Sequence, residues 1–278
     1  MIDLHTHSTA SDGSFSPSQL VEHAAERGIT VLALTDHDSV SGNEEGSVAA
    51  KKAGIRFIPG IELDIHWKPG ECHLLGLNVH SVHSDLEALL VRLKEGRLER
   101  NTSIALKMRE SGIDIDIDRV TALAAGGTVG RPHFAKFLVE TKVVKNVQQA
   151  FDRYLAKDRP FFIDRNSIPL VEGISAIRSS GGIPILAHPL SLYVSWGNLP
   201  GILEDFKNQG LAGIEAWHPG ARVSSCERLE KCARSLGLCV TAGSDFHGAA
   251  RPDRKIGFTA GKQPIEDRFF FEEIEPLF

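Results

Sequence analysis

The sequence predicts an α/β fold, a barrel of largely parallel strands interrupted by a helical insertion. Short continuous apolar runs alternate with amphipathic segments, the pattern of strands buried on both faces and connected by helices. His, Asp and Glu gather at the ends of those runs, and between residues 81 and 164 only helical periodicity remains. The 278 residues, 42% of them hydrophobic, suffice for one large domain or a domain with an insertion. A net charge of -5 and a sequence pI near 6.2 exclude a protein that coats long nucleic acid electrostatically, while a short phosphorylated ligand remains compatible. Cys72, Cys226, Cys232 and Cys239 form no Cys-x-x-Cys pair and read as reduced, mostly core residues, which predicts a cytoplasmic protein. No run approaches the roughly 20 apolar residues that span a bilayer, no basic-then-apolar leader is present, and no obligate protein partner is signalled.

Met1 to His5 forms a short first strand, and alternation along it points His5 and His7 to one side, where two imidazoles could grip one metal ion. Ser11-Asp12-Gly13 is a turn. Ser16-Pro17 caps an amphipathic helix that runs to about Gly28 and carries His23 as an ordinary helix histidine. The apolar run 29–35 is a buried strand ending in Asp36-His37-Asp38, and a helix over 41–53 closes at Gly54. Residues 57–63 form a strand carrying Glu62, and residues 71–77, with His73, pair back on it as a hairpin.

The segment 81–164 is charged and helix-patterned, with helices predicted over 85–110, 118–125, 132–140 and 146–156. Pro132 begins one of these, so Arg131 and His133 sit at a helix N-terminus that attracts anions or, equally, forms a solvated basic cap. Arg97 and Arg100 read as helix-surface charge. The barrel pattern then resumes with a helix over 169–180, a strand 183–187 ending at His188, a helix 199–209 and a strand 213–217 followed by His218. A helix over 224–236 precedes the last strand, 238–244, which ends in Asp245-Phe246-His247. Phe269 to Phe271 are expected to pack against the barrel.

In a parallel barrel the C-terminal strand ends converge on one mouth, where catalytic groups assemble. His5, His7, His37, His188, His218 and His247 all fall at or beside such ends, which scattered core or surface histidines would not do.

Taken together, Asp3-Leu4-His5-Thr6-His7-Ser8, Thr35-Asp36-His37-Asp38, Gly60-Ile61-Glu62, His73-Leu74, Ala187-His188-Pro189 and Gly243-Ser244-Asp245-Phe246-His247 resemble the motifs of the PHP (polymerase and histidinol phosphatase) family of metal-dependent phosphoesterases. The resemblance covers essentially the whole chain. It implies a distorted (β/α)7 barrel over residues 1–80 and 165–278, an inserted helical domain over 81–164, and two or three divalent metal ions, with manganese expected and zinc or iron as alternatives. It also implies the ligands: His5, His7, Glu62 and Asp245 for one ion, His73 and His188 with a bridging Glu62 for a second, and Asp12, His37 and His247 for a third. Two cations bridged by a carboxylate would lower the pKa of a shared water and neutralise charge on the phosphoryl oxygens. No protein nucleophile is then required, so Cys72 and Ser8 read as structural, and Asp36 and Asp38 are expected to orient His37.

Residues 95–100, Arg131 to Ala135 and Phe151 to Leu155 are further similar to the subgroup that removes phosphate from 3′,5′-bisphosphorylated nucleotides or trims short 5′-phosphorylated RNA. The expectation is a hydrolase of such a small substrate. Glu62 and Asp245 are its catalytic residues, His218 assists at the mouth, and Arg131 and His133 hold the substrate. A histidinol-phosphate phosphatase and a non-catalytic metal-stabilised binding module are the alternatives.

Overall fold

The computed structural model describes residues 1–124, 129–164 and 167–278. The chain divides into two compact units, residues 1–90 with 167–278, and residues 91–166.

The first unit contains a seven-stranded sheet in sequential order, built from β1 (Ile2–Asp3), β2 (Val31–Leu34), β3 (Arg56–Ile65), β4 (Cys72–Leu77), β5 (Ile183–Ala187), β6 (Gly213–Trp217) and β7 (Cys239–Ala242). Every pairing is parallel except those of β4, which runs antiparallel to both β3 and β5, so the expected hairpin is present. Beyond the strand ends the backbone closes the sheet on itself: the Asp245 amide donates to the His5 carbonyl and the His7 amide to the Phe246 carbonyl, both at 2.9 Å. The result is a nearly closed, distorted α/β barrel. β1 stops short of the predicted His5 because the buried Asp3 carboxylate takes over as acceptor, receiving the amides of His5, Ser244 and Gly257.

Around the sheet lie α1 (Pro17–Glu26), α2 (Asn43–Ala53), the start of α3 (Ser84–Glu110), and, numbered after three helices of the second unit, α7 (Leu170–Ser179), α8 (Leu199–Asn208), α9 (Val223–Ser235) and α10 (Arg268–Phe271). α1 begins as read: the Ser16 hydroxyl accepts the Gln19 amide, the Gln19 side chain accepts the Ser16 amide, and Pro17 occupies the first turn. Its Leu20, Val21 and Ala24 are fully buried with Leu32 and Leu34 of β2 in one apolar cluster. The short α10 buries Phe269 and Phe270, but Phe271 is 45% exposed, since a single turn cannot turn three consecutive side chains inward.

The second unit holds most of α3, α4 (Ile117–Ala122), α5 (Arg131–Glu140) and α6 (Val147–Ala150), and no strand among its described residues. The single helix expected over 146–156 is instead α6 followed by a π-helical turn, Phe151–Leu155, where the Ala156 amide reaches back five residues to the Phe151 carbonyl. This unit has its own core, centred on Phe134, Phe137, Leu138, Met108 and Phe161. Arg100, read as surface charge, is buried at 5% exposure and donates to Asn101.

Candidate active site

Each strand delivers its polar residue to one end of the barrel. Past β1, Thr6 turns away and donates to the Ala33 carbonyl, which leaves His5 and His7 together on the inner face with their Nε2 atoms 3.1 Å apart. His37 follows β2 and Glu62 lies within β3, their backbones bridged in parallel. β4 runs the opposite way, so its contribution comes from its beginning: His73 pairs in register with Asp64 on one side and Ala187 on the other. His188 directly follows β5, while Asp245 and His247 follow β7. Gly243 allows that last approach, because a Cβ there would lie 2.3 Å from the His5 Cβ.

The buried Glu62 carboxylate is the hub. Its Oε1 lies 2.9 Å from His73 Nδ1 and 3.2 Å from His188 Nε2, and its Oε2 lies 3.0, 3.3 and 3.4 Å from nitrogens of His37, His7 and His5. Asp245 Oδ1 approaches His5 at 3.6 Å and His7 at 3.4 Å, and Asp12 lies 3.3 Å from His247. All nine residues implied as metal ligands thus meet at one place. Their donor atoms fall into overlapping groups, among them His5, His7 and Asp245; His5, Glu62 and His188; and His7, Asp12, His37 and His247. His37 also groups with Glu62 and His73, so it stands between two of the implied sets.

The electrostatics follow from burial. Desolvation would raise Glu62, yet the surrounding His37, His5 and His73 outweigh it and hold the carboxyl well below its ordinary value. Asp245 is likewise held down against desolvation, chiefly by His218 and His7. Burial and the neighbouring His247 push His7 down to about 3. Burial opposes charge on His5, but Glu215 and Glu62 outweigh it and hold His5 well above the usual imidazole range. Nδ1 of His7 and Oε2 of Glu62 are buried without a hydrogen bond among the described residues. Apposed imidazole nitrogens, anionic oxygens and these unsatisfied atoms fit divalent cations, and a nitrogen-and-oxygen set without thiolate suits manganese, zinc or iron.

A cleft of about 350 Å³ opens over the cluster, the size of a small-ligand site. His218 lines it: Nδ1 accepts the Gly220 amide at 3.1 Å, so the ring proton sits on Nε2, 3.3 Å from Asp245 Oδ2. Cys72 is buried with its thiol pushed up to about 12 by burial, which removes it as a nucleophile. Ser8 donates to Asp36. Asp36, expected to orient His37, instead accepts from Ser8 and Ser11 and so holds the turn that presents Asp12. Asp38 accepts the Asp64 amide. In the helical unit, Arg131 opens α5 with its guanidinium over the Phe162 ring, and His133 Nδ1 accepts the Gly130 amide, capping the helix.

Three residues of the site escaped the sequence reading. Glu215, a lone charge inside the apolar run of β6, contacts His5 and His188, and its isolation there was a usable signal. Arg251, which donates to Asp245 at 2.8 Å, and Arg254 line the cleft, but they follow the last strand in an irregular segment where arginine is unremarkable in sequence.

A barrel whose strand ends gather bridged carboxylates and imidazoles beneath a cleft edged by arginine defines a metal-dependent phosphoesterase. The PHP domain model matches residues 3–157, and the chain belongs to the PHP family. It is 38% identical to a 5′-3′ exoribonuclease of Haemophilus influenzae, over 88% of this chain and 89% of that protein. It is 31% identical to a 3′,5′-nucleoside bisphosphate phosphatase of Chromobacterium violaceum, over 95% and 93%. The crystal structure of a Bifidobacterium adolescentis protein, assigned as a metal-dependent phosphoesterase, superposes with a TM-score of 0.86 at 27% identity, covering 98% of this chain and 94% of that one.

Proposed function

We propose that the protein hydrolyses phosphate esters of small nucleotides, removing the 3′-phosphate of 3′,5′-bisphosphorylated nucleotides, trimming short 5′-phosphorylated RNA, or both, in the cytoplasm. The observation that carries this reading is the Glu62-centred cluster, complete in every implied ligand and open to a cleft of small-molecule size. His5, His7, Glu62 and Asp245 would hold one divalent ion, Glu62, His73 and His188 a second, and Asp12, His37 and His247 a third, with manganese as the working cation. Such ions would supply an activated water and neutralise the phosphoryl charge.

The chain's own groups do the rest. Arg251, 2.8 Å from Asp245, offers a guanidinium to the phosphoryl oxygens. His218 turns its Nε2–H, beside Asp245, to the substrate oxygen as a hydrogen-bond donor that stabilises the charge developing there, while the Gly220 amide keeps Nδ1 as an acceptor. Choosing a doubly phosphorylated substrate requires a second anion site, and we assign it to Arg131 and His133 at the start of α5 in the helical unit.

The test is turnover by the manganese-loaded protein of 3′-phosphoadenosine 5′-phosphate, a short 5′-phosphorylated RNA, histidinol phosphate and an aryl phosphate. Preference for histidinol phosphate would overturn the nucleotide reading, and no turnover of any would leave a binding module. A charge-assisted contact to the second phosphate is worth roughly 1.5 to 3 kcal/mol, so Arg131→Ala should lower kcat/KM for the bisphosphate about 10- to 150-fold. The aryl phosphate should be nearly unaffected. An equal fall for both would place Arg131 at the reacting centre.

A further inference from the structure

Glu215 lies within β6, 1% exposed, with both carboxylate oxygens engaged: Oε1 is 2.9 Å from His5 Nδ1, and Oε2 accepts the His188 amide at 2.9 Å. A carboxylate buried at this depth must have its charge matched by donors. These two contacts join a histidine from the first strand end to one from the fifth. His188 needs the support, since it sits at φ 28°, ψ 65°, a conformation that costs a side-chain-bearing residue free energy.

We infer that Glu215 is a positioning residue that sets the proton on His5 Nδ1 and fixes the His188 backbone, so that the Nε2 atoms of both rings are presented to the cation site. An ionised carboxylate only accepts, and the His188 amide only donates, so His5 Nδ1 must carry the proton that fills its 2.9 Å contact with Oε1. His5 Nε2 is then the atom facing His7, Glu62 and Asp245 at 3.1, 3.4 and 3.6 Å. The same logic reaches His188 by another route. The Ser191 hydroxyl spends its proton on the Glu71 carbonyl at 2.9 Å, so at 3.0 Å it accepts from His188 Nδ1 and leaves Nε2 directed at Glu62.

The isosteric amide cannot meet both demands. In a Glu215→Gln variant, an amide oxygen turned to His5 presses its NH2 group against the His188 amide. Turned the other way, the NH2 donates to His5 Nδ1 and drives the ring proton onto Nε2, the atom a metal ion requires. A partner that orients a metal-ligating histidine is worth about 10- to 100-fold in metal affinity.

The inference rests on reading the cluster as a metal centre, and zinc serves as a diamagnetic probe. In the zinc-loaded wild-type protein, long-range proton–nitrogen NMR should show His5 protonated on Nδ1 alone. In Glu215→Gln, zinc affinity by chelator competition should fall about 10- to 100-fold, more than any change in the melting temperature of the metal-free protein would explain. A wild-type protein that binds no zinc would overturn the metal centre and this role together. A wild-type protein that binds zinc with His5 protonated on Nε2, or a variant that binds it as tightly, would remove Glu215's role and leave the centre standing. If the variant does not fold, the wild-type spectrum decides.

Discussion

His218 shows how a single hydrogen bond assigns a chemical role. Because the Gly220 amide occupies Nδ1, the ring offers a hydrogen bond from Nε2, beside Asp245, and has no second N–H to spare a proton. His218→Ala should therefore lower kcat/KM about 10- to 150-fold, the worth of a charge-assisted hydrogen bond of roughly 1.5 to 3 kcal/mol, for a nucleotide 3′-phosphate and an aryl phosphate alike. Parallel rate measurements on the two substrates check this, and a loss confined to the nucleotide, whose alkoxide leaves poorly, would instead make His218 a proton donor to the leaving oxygen. The position of His218 after a strand was legible because a charged or polar residue ending an apolar run is visible in one dimension. Its proton was not, since that depends on an amide in a turn.

Among the elements, α9 and the C-terminal turn are joined through Glu230, which accepts from Arg234 of its own helix, from Arg268 of α10 and from the Trp217 indole of β6. Desolvation would raise the Glu230 carboxyl, but Arg268, Trp217 and Arg234 outweigh it and bring it down to about 2. A depressed carboxyl contributes stability that is fully present above its unfolded value of 4.5 and is lost as pH falls through the folded value near 2. Glu230→Gln should cost about 1 to 2 kcal/mol at pH 7, after allowance for solvent screening of the exposed partners. In urea titrations the gap from wild type should close between pH 4.5 and 2, and a gap independent of pH would show that packing alone is lost. Elements of this kind were readable from apolar periodicity and helix caps, as α1 and β5 show, whereas the burial of Arg100 was hidden because helical periodicity does not reveal which charged side chain the tertiary fold will cover.

For the whole molecule, a cation bound by the folded state alone stabilises by about 4 kcal/mol at a thousandfold excess over Kd. Stripping metal should then lower Tm by on the order of 10 °C for a chain of this size, restored by adding the divalent ion back. Calorimetry with and without chelator checks it, and an unchanged Tm would argue that no ion is bound. The barrel was legible because compact strand runs alternate with helices and carry motifs that resemble a family of barrels, but the bonds that close it were not, since the His5–Asp245 and His7–Phe246 backbone bonds join positions at opposite ends of the numbering. That closure has a consequence for synthesis on the ribosome. A chain interrupted anywhere before β7 exposes an unpaired sheet edge and lacks Asp245 and His247 at the same moment. An unfinished copy thus offers that edge to chaperones while it still lacks two groups of the cluster.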